Sequence, residues 1–319
     1  MQTPSATHTL NLVASLASPA RRTYSSQGQS LDSKSCGESR TRVRFGIFDL
    51  ASLSNSLVSN AMLSNSPTSK VVFANSVLGA RTEKYADYFD ICSALAGFVP
   101  NVGMHVARNR VPNVVIDATD LIRTVLVPSL DDNDDDVNME SFFPAMGWLC
   151  GNLSDGAIPL IIGFESISYL VTIDALKAFC AAFGTTGSSP LFHLANITPE
   201  AREMSDIEGM LASCGDKKVV VSKQDLLHAY ETLDSGRGDG DEISLVALGN
   251  PHLSRTELQR LSALVASDSR GKHPGVRVMA CLGRQVQMEG KEHVEKLETF
   301  GVEFVNDTCW CMLLDVRSC

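Results

Sequence analysis

From residue 70 onward the chain alternates short apolar runs with longer stretches of helical period. VVFANSV, residues 71–77, reads as a strand running into a turn, and DYFDICSALAGF as a short helix ended by Gly97. VPNVVIDA is again strand-like. Beyond residue 157 the rhythm becomes regular. IPLIIG reads as a buried strand, and DALKAFCAAFG, opening at Asp174, as a helix stopped by Gly184. PLFHLA is a strand, followed by a helix opening Thr198-Pro199-Glu200, with Thr as cap and Pro at the first helical position. KKVVV leads to Ser222 with Asp225 three later, predicting a helix to about Leu233. ISLVALG leads to Ser254 with Glu257 three later, a capping box that predicts a helix to about Ala266. VRVMAC precedes a helix over roughly Gln285 to Phe300, and VEFV closes the series. Apolar strands alternating with helices predict a mostly parallel sheet covered by helices, an α/β fold.

Two stretches break the rhythm. LASLSNSLVSNAMLSNS is too rich in small polar residues for a firm helix, although Leu53, Leu57 and Met62 would line one loose face. Asp131 to Asp136 holds five aspartates, whose mutual repulsion reads as a solvated loop, with a metal site as the second choice.

Composition narrows the class. The 319 residues are 44% hydrophobic and 20% charged, the balance of a folded chain with room for a large core. With 27 Lys plus Arg against 37 Asp plus Glu the net charge is −10, and no basic concentration marks a nucleic-acid surface. No apolar run approaches the 18 or so residues of a membrane span. Nine cysteines at irregular spacing suit a reducing compartment and no disulfide framework. Residues 1–45 differ from the rest, with six basic and two acidic side chains and no acid before residue 31. They read as a mitochondrial presequence or as a disordered tail. The localisation expected is cytoplasmic, or the mitochondrial matrix under the first reading.

Chemistry is expected beyond the carboxyl ends of parallel strands. Four predicted strands end in reactive residues: His193 with Asn196, Asn250 with His252, Cys281 with Arg284, and Asn306 with Asp307, Thr308 and Cys309. His252 suits either a general acid–base role or a polar loop. Arg284 at a helix start opposes the local dipole unless an anion offsets it, which points to a carboxylate or phosphate. His193 reads as a core or supporting histidine and Cys281 as a small hydrophobe. Cys309 and Cys311 alone do not make a zinc pattern. Neither G-x-G-x-x-G nor G-x-x-x-x-G-K-[ST] occurs, which argues against a nucleotide-dependent enzyme.

The phrases VVFANSVLGARTEKYADYFDICSALAGFVPNVGMH, FFPAMGWLCG, LFHLANITPEA, LVALGNPHLS and NDTCWCM, in this order, resemble the catalytic large domain of the aconitase X family from about Val71 to about Met312. The resemblance implies an aconitase-like three-layer α/β/α fold with mostly parallel sheets, here incomplete. It implies a hydro-lyase that eliminates water from a small hydroxy acid such as cis-3-hydroxy-L-proline, with mevalonate 5-phosphate as the archaeal substrate. Asn75 and Ser76 would then lie at the substrate, Arg81 or Arg284 would meet its anionic group, and His252 would orient it. Cys309 matches a cluster cysteine, so an iron or iron–sulfur cofactor is implied, and a small swivelling domain or subunit is the implied partner.

The departures are specific. Asn250 stands where part of the family has a cluster cysteine, and an amide supplies no thiolate. The upstream Cys-Pro-Tyr segment and the downstream Ser-Gly-Lys segment have no counterpart, so the chain reads as truncated at both ends and as not retaining a cluster by itself. The division expected is a tail over 1–45, an N-terminal part of the catalytic domain over 46–130, its α/β part over 140–312, and an unmatched end over 313–319. The alternative function is an inactive fragment that at most binds substrate or partner weakly.

Overall fold

The computed structural model describes residues 67–85, 89–126, 139–234, 243–267 and 271–306. The basic tail, the loose stretch before residue 67, the aspartate run, and Asp307, Thr308, Cys309 and Cys311 lie outside the described residues.

Two parallel sheets organise the chain. The first holds β1 (Val114–Asp117), β2 (Pro159–Ile162), β3 (His193–Leu194) and β4 (Lys218–Val220) in the order β3-β2-β1-β4. Its register pairs Ile116 with Ile161 and with Val219, and Leu160 with His193. The second holds β5 (Leu245–Leu253), β6 (Arg277–Leu282) and β7 (Val302–Asn306) in that order, with Ala280 opposite Leu248 and Phe304. The four strand ends expected to carry chemistry therefore divide between two sheets, that of β3 in the first and those of β5, β6 and β7 in the second.

Helices connect the strands: α1 (Pro67–Val72), α2 (Phe89–Ala96), α3 (Met139–Ser154), α4 (Ile173–Thr186), α5 (Met204–Cys214), α6 (Lys223–Leu233), α7 (Arg255–Ser267), α8 (Arg284–Glu289) and α9 (Lys291–Phe300). Alternate strand residues face opposite sides, and the first sheet uses both. Ile116 and Ile161 enter the main core with Phe142, Phe164, Phe179, Phe183 and Phe192 on the α3–α4 side. Leu160 faces a smaller cluster with Ala195, Ala201 and Ile207 of α5. This is a helix–sheet–helix sandwich. The second sheet packs Ala280, Leu282 and Val302 against Leu258 of α7 and Val294 and Leu297 of α9. Helices α3 and α4 approach so closely at Gly147 that a Cβ there would sit 2.3 Å from the Phe179 carbonyl oxygen.

Several expectations hold to within a residue or two. Helix α6 carries the full Ser222–Asp225 capping box, and α2 ends at Gly97 as expected. Others are corrected. Residues 71–77 form no strand but the end of α1 and a π-helical turn, Phe73–Val77. The apolar face of VVF packs on α4, and a run this short does not distinguish helix from strand. Gly184 does not stop α4. It lets Ser69 approach, and the helix continues to Thr186. Thr198-Pro199-Glu200 opens a single 3₁₀ turn, Pro199–Ala201, before α5 begins at Met204. The helix after β6 is divided at Gly290, which faces Leu258. Strand β5 continues through Gly249-Asn250-Pro251-His252 with a shifted register, where a loop was expected. Proline is tolerated there because β5 is an edge strand and the ladder is already irregular.

Candidate functional site

The π-helical turn after α1 delivers Asn75 and Ser76 into the protein, both buried. The Asn75 amide donates to the carbonyls of Thr82 and Pro190 and accepts from the Thr82 N–H and from Arg110. The Ser76 hydroxyl accepts from the Phe192 N–H at 2.9 Å, which ties the turn to the entrance of β3. Arg110, 2% exposed, is the centre of the set. It pairs with Glu200 through Nε and Nη2 and donates to Asn75 and to the Met104 carbonyl. A buried guanidinium is tolerable because nearly every donor has an acceptor and a carboxylate balances its charge. His193 donates Nε2–H to the Arg110 carbonyl at 2.7 Å, and burial lowers its pKa against the raising effect of that bond and of Glu200.

On the outer side of this set lies the segment 81–85. Arg81 is exposed and donates to the His105 carbonyl, Glu83 accepts from the Met104 N–H, and the Tyr85 hydroxyl meets His105 Nε2. His105 is buried, and that burial lowers its pKa; Glu83 opposes the shift and Arg110 adds to it. Asn75, Ser76 and Arg81 thus fall in one hydrogen-bonded neighbourhood.

His252 belongs to a second neighbourhood, where the far end of β5 meets α4. Its backbone carbonyl accepts from buried Lys177, whose ammonium also pairs with Glu257. Glu257 in turn accepts from the Ser254 N–H at 2.7 Å, closing the cap of α7. Gly249 has φ +90°, and a Cβ there would lie 2.2 Å from the Cys281 carbonyl oxygen, so only glycine admits this strand path. Arg284 is exposed at the start of α8.

The implied metal finds no fitting residues here. Among the described residues no group of three or more His, Cys, Asp or Glu side chains could hold a metal ion. The described thiols are dispersed and, Cys92 excepted, buried. Burial pushes Cys150 up to about 12 and Cys180 well above the ordinary thiol value, so neither is a ready thiolate ligand. The expectation of an iron–sulfur or other metal-binding site is corrected accordingly, while Cys309 lies outside the described residues. No helix among the described residues is long and apolar enough to cross a membrane.

Sequence reasoning missed Arg110, Glu200, His105, Tyr85 and Lys177. Lys177 and Glu200 lie inside stretches read for secondary structure, and Tyr85, His105 and Glu200 were present in the family phrases GARTEKY, NVGMH and NITPEA without being given a role.

Comparison with known proteins gives consistent matches. Models described as the aconitase X first, second and third domains match residues 60–108, 104–231 and 243–318. Cis-3-hydroxy-L-proline dehydratase of Pseudomonas aeruginosa is 44% identical over 245 residues, 76% of this chain and 38% of that protein. The dehydratase of the same description from Hypocrea jecorina is 38% identical over equal shares. Phosphomevalonate dehydratase large subunit of Methanosarcina mazei is 27% identical, over 76% of this chain and 52% of that one. The crystal structure of Thermococcus kodakaraensis aconitase X in its holo form superposes with a TM-score of 0.58 at 25% identity, covering 76% of this chain and 55% of that chain. The chain spans about two fifths of the length of the two hydroxyproline dehydratases it matches.

Proposed function

The chain belongs to the aconitase X family, and from that premise we propose that it serves a hydro-lyase reaction, the loss of water from cis-3-hydroxy-L-proline or a closely similar hydroxy acid. The observation that carries the substrate is the identity of 44% to a cis-3-hydroxy-L-proline dehydratase, against 27% to a phosphomevalonate dehydratase large subunit. In this reading Arg81 or Arg284 anchors the substrate carboxylate, since both guanidinium groups are exposed and a planar fork suits a carboxylate. Asn75 and Ser76 form the wall behind the anchored acid. A base removes the proton from the carbon next to the leaving hydroxyl, and the electron pair so released forms the new double bond, while His252, 1% exposed on β5, keeps an orienting role from its own neighbourhood. The catalytic portion is taken to be residues 46–130 and 140–312, completed by a small swivelling domain or subunit. Its place is the cytoplasm, or the mitochondrial matrix if residues 1–45 act as a presequence.

A second reading is a chain of this fold that binds the acid without turning it over. It is favoured by the commitment of Asn75 and Arg110 to partners within the protein. One experiment separates the two. The purified chain is titrated with cis-3-hydroxy-L-proline by calorimetry, and substrate loss is followed by chromatography, with mevalonate 5-phosphate as comparison. Binding with substrate loss supports the dehydratase, binding alone supports the second reading, and binding of neither acid removes both.

A further inference from the structure

The stretch 67–80, which holds α1 and the π-helical turn, contains one charged side chain, Lys70. Helix α1 is seated on the second half of α4. Ser69 lies against Gly184 and its hydroxyl donates to the Ala181 carbonyl at 3.4 Å, while Val72 and Phe73 enter the main core. The run that provides this seat, residues 178–192, carries no charged side chain at all. Lys70 therefore stands half-buried in uncharged surroundings. Among the described residues its ammonium meets neither a carboxylate nor any other hydrogen-bond acceptor. Lys177, buried at the other end of α4, is the contrast, since its ammonium is held by Glu257 and by the His252 carbonyl. An ammonium that loses water and gains no partner becomes less stable relative to its neutral amine, and burial lowers the Lys70 pKa accordingly. The neutral amine is the nucleophilic form of lysine, and half-burial leaves it within reach of solvent.

We propose that Lys70 is a modification site, acylated by small acyl thioesters. After the ammonium gives one proton to solvent, the nitrogen lone pair attacks the thioester carbonyl carbon. The N–C bond forms and the C–S bond breaks with its pair on sulfur. A second proton passes from nitrogen to the thiolate, leaving an amide and a free thiol. The amide is uncharged, so the modification removes the one charge from the stretch that carries Asn75 and Ser76. The reaction involves no hydroxy acid, and the proposal stands independently of the dehydratase reading.

The test incubates the full chain with acetyl-coenzyme A at neutral pH and follows the acetyl occupancy of each lysine by mass spectrometry of the digested protein. Lys70 is expected to gain acetyl groups roughly fivefold faster than exposed Lys84 and Lys223, because burial without a partner enlarges the neutral fraction of its amine. The same incubation in concentrated urea should bring the three rates within about twofold, since unfolding hydrates all three amines alike. A Lys70 that reacts no faster than the exposed pair in the folded chain overturns the proposal. A preference that persists undiminished in urea also overturns it, because the reactivity would then owe nothing to the seat on α4.

Discussion

Arg110 shows how one residue decides the local chemistry. Its guanidinium bonds Glu200, Asn75 and the Met104 carbonyl at once, so truncating it strands a buried amide and carbonyl and unpairs the half-buried Glu200 carboxylate. Arg110→Ala is expected to cost about 3 kcal/mol, measured as a fall in urea stability. Arg110→Lys should recover only part of this, because an ammonium cannot fork to Glu200. His193 gives a pH signature. Its folded pKa is depressed by burial, so the unfolded chain binds a proton more readily. The stability it contributes is complete above the ordinary histidine value, about 6.5, and is lost as pH falls below it toward the folded value. Urea midpoints should therefore fall between about pH 7.5 and 5.5, and His193→Gln should flatten that part of the profile. A fall of equal size in the variant would refute the assignment.

At the scale of elements, the caps were the most legible features. Ser222 and Asp225 bond each other reciprocally at the start of α6, and these bonds from Ser222 hold the Asp225 carboxyl below its ordinary pKa. Ser222→Ala should cost about 1 kcal/mol at neutral pH. That gap should narrow as pH falls through the depressed value of Asp225, since the carboxylate's stabilisation is present above the unfolded pKa and lost on protonation. Thermal melts at several pH values would show it. Gly249 was read only as the end of a strand, yet its φ of +90° and its closeness to Cys281 make it indispensable to the path of β5. Gly249→Ala is expected to destabilise by about 3 kcal/mol from backbone strain and overpacking. Residues 71–77 depart from the expected strand for the opposite reason. Apolar Val71, Val72 and Phe73 fit either period, and the surface of α4 chose the helix.

Across the whole molecule, Lys177 joins the two sheets. It rises from α4, packed in the first core, and reaches the His252 carbonyl on β5 and Glu257 on α7. Lys177→Met keeps the stem's volume but leaves Glu257 and that carbonyl without the ammonium, at a cost of about 3 kcal/mol. Because the link spans two cores, the loss should be uneven. Hydrogen–deuterium exchange is expected to rise in β5 and β6 before it rises in β1 and β2. Uniform protection loss in both sheets would show that the link is not what couples them.

Periodicity and capping chemistry determined the parallel α/β class, the positions of β1 to β7, and the starts of α6 and α7, because those signals act over a few neighbouring residues. The motifs also marked Asn75, Ser76 and Arg81 as one phrase. Only the tertiary structure divided the strands between two sheets, turned VVFANSV into a helix, and gathered Arg110, Glu200, His105 and Tyr85 around that phrase. A buried ion pair such as Arg110–Glu200 joins residues 90 positions apart, and no local pattern says which charged side chain will leave water. Burial and partnership are long-range properties, and they decide which histidine loses its affinity for a proton and which lysine bridges two cores.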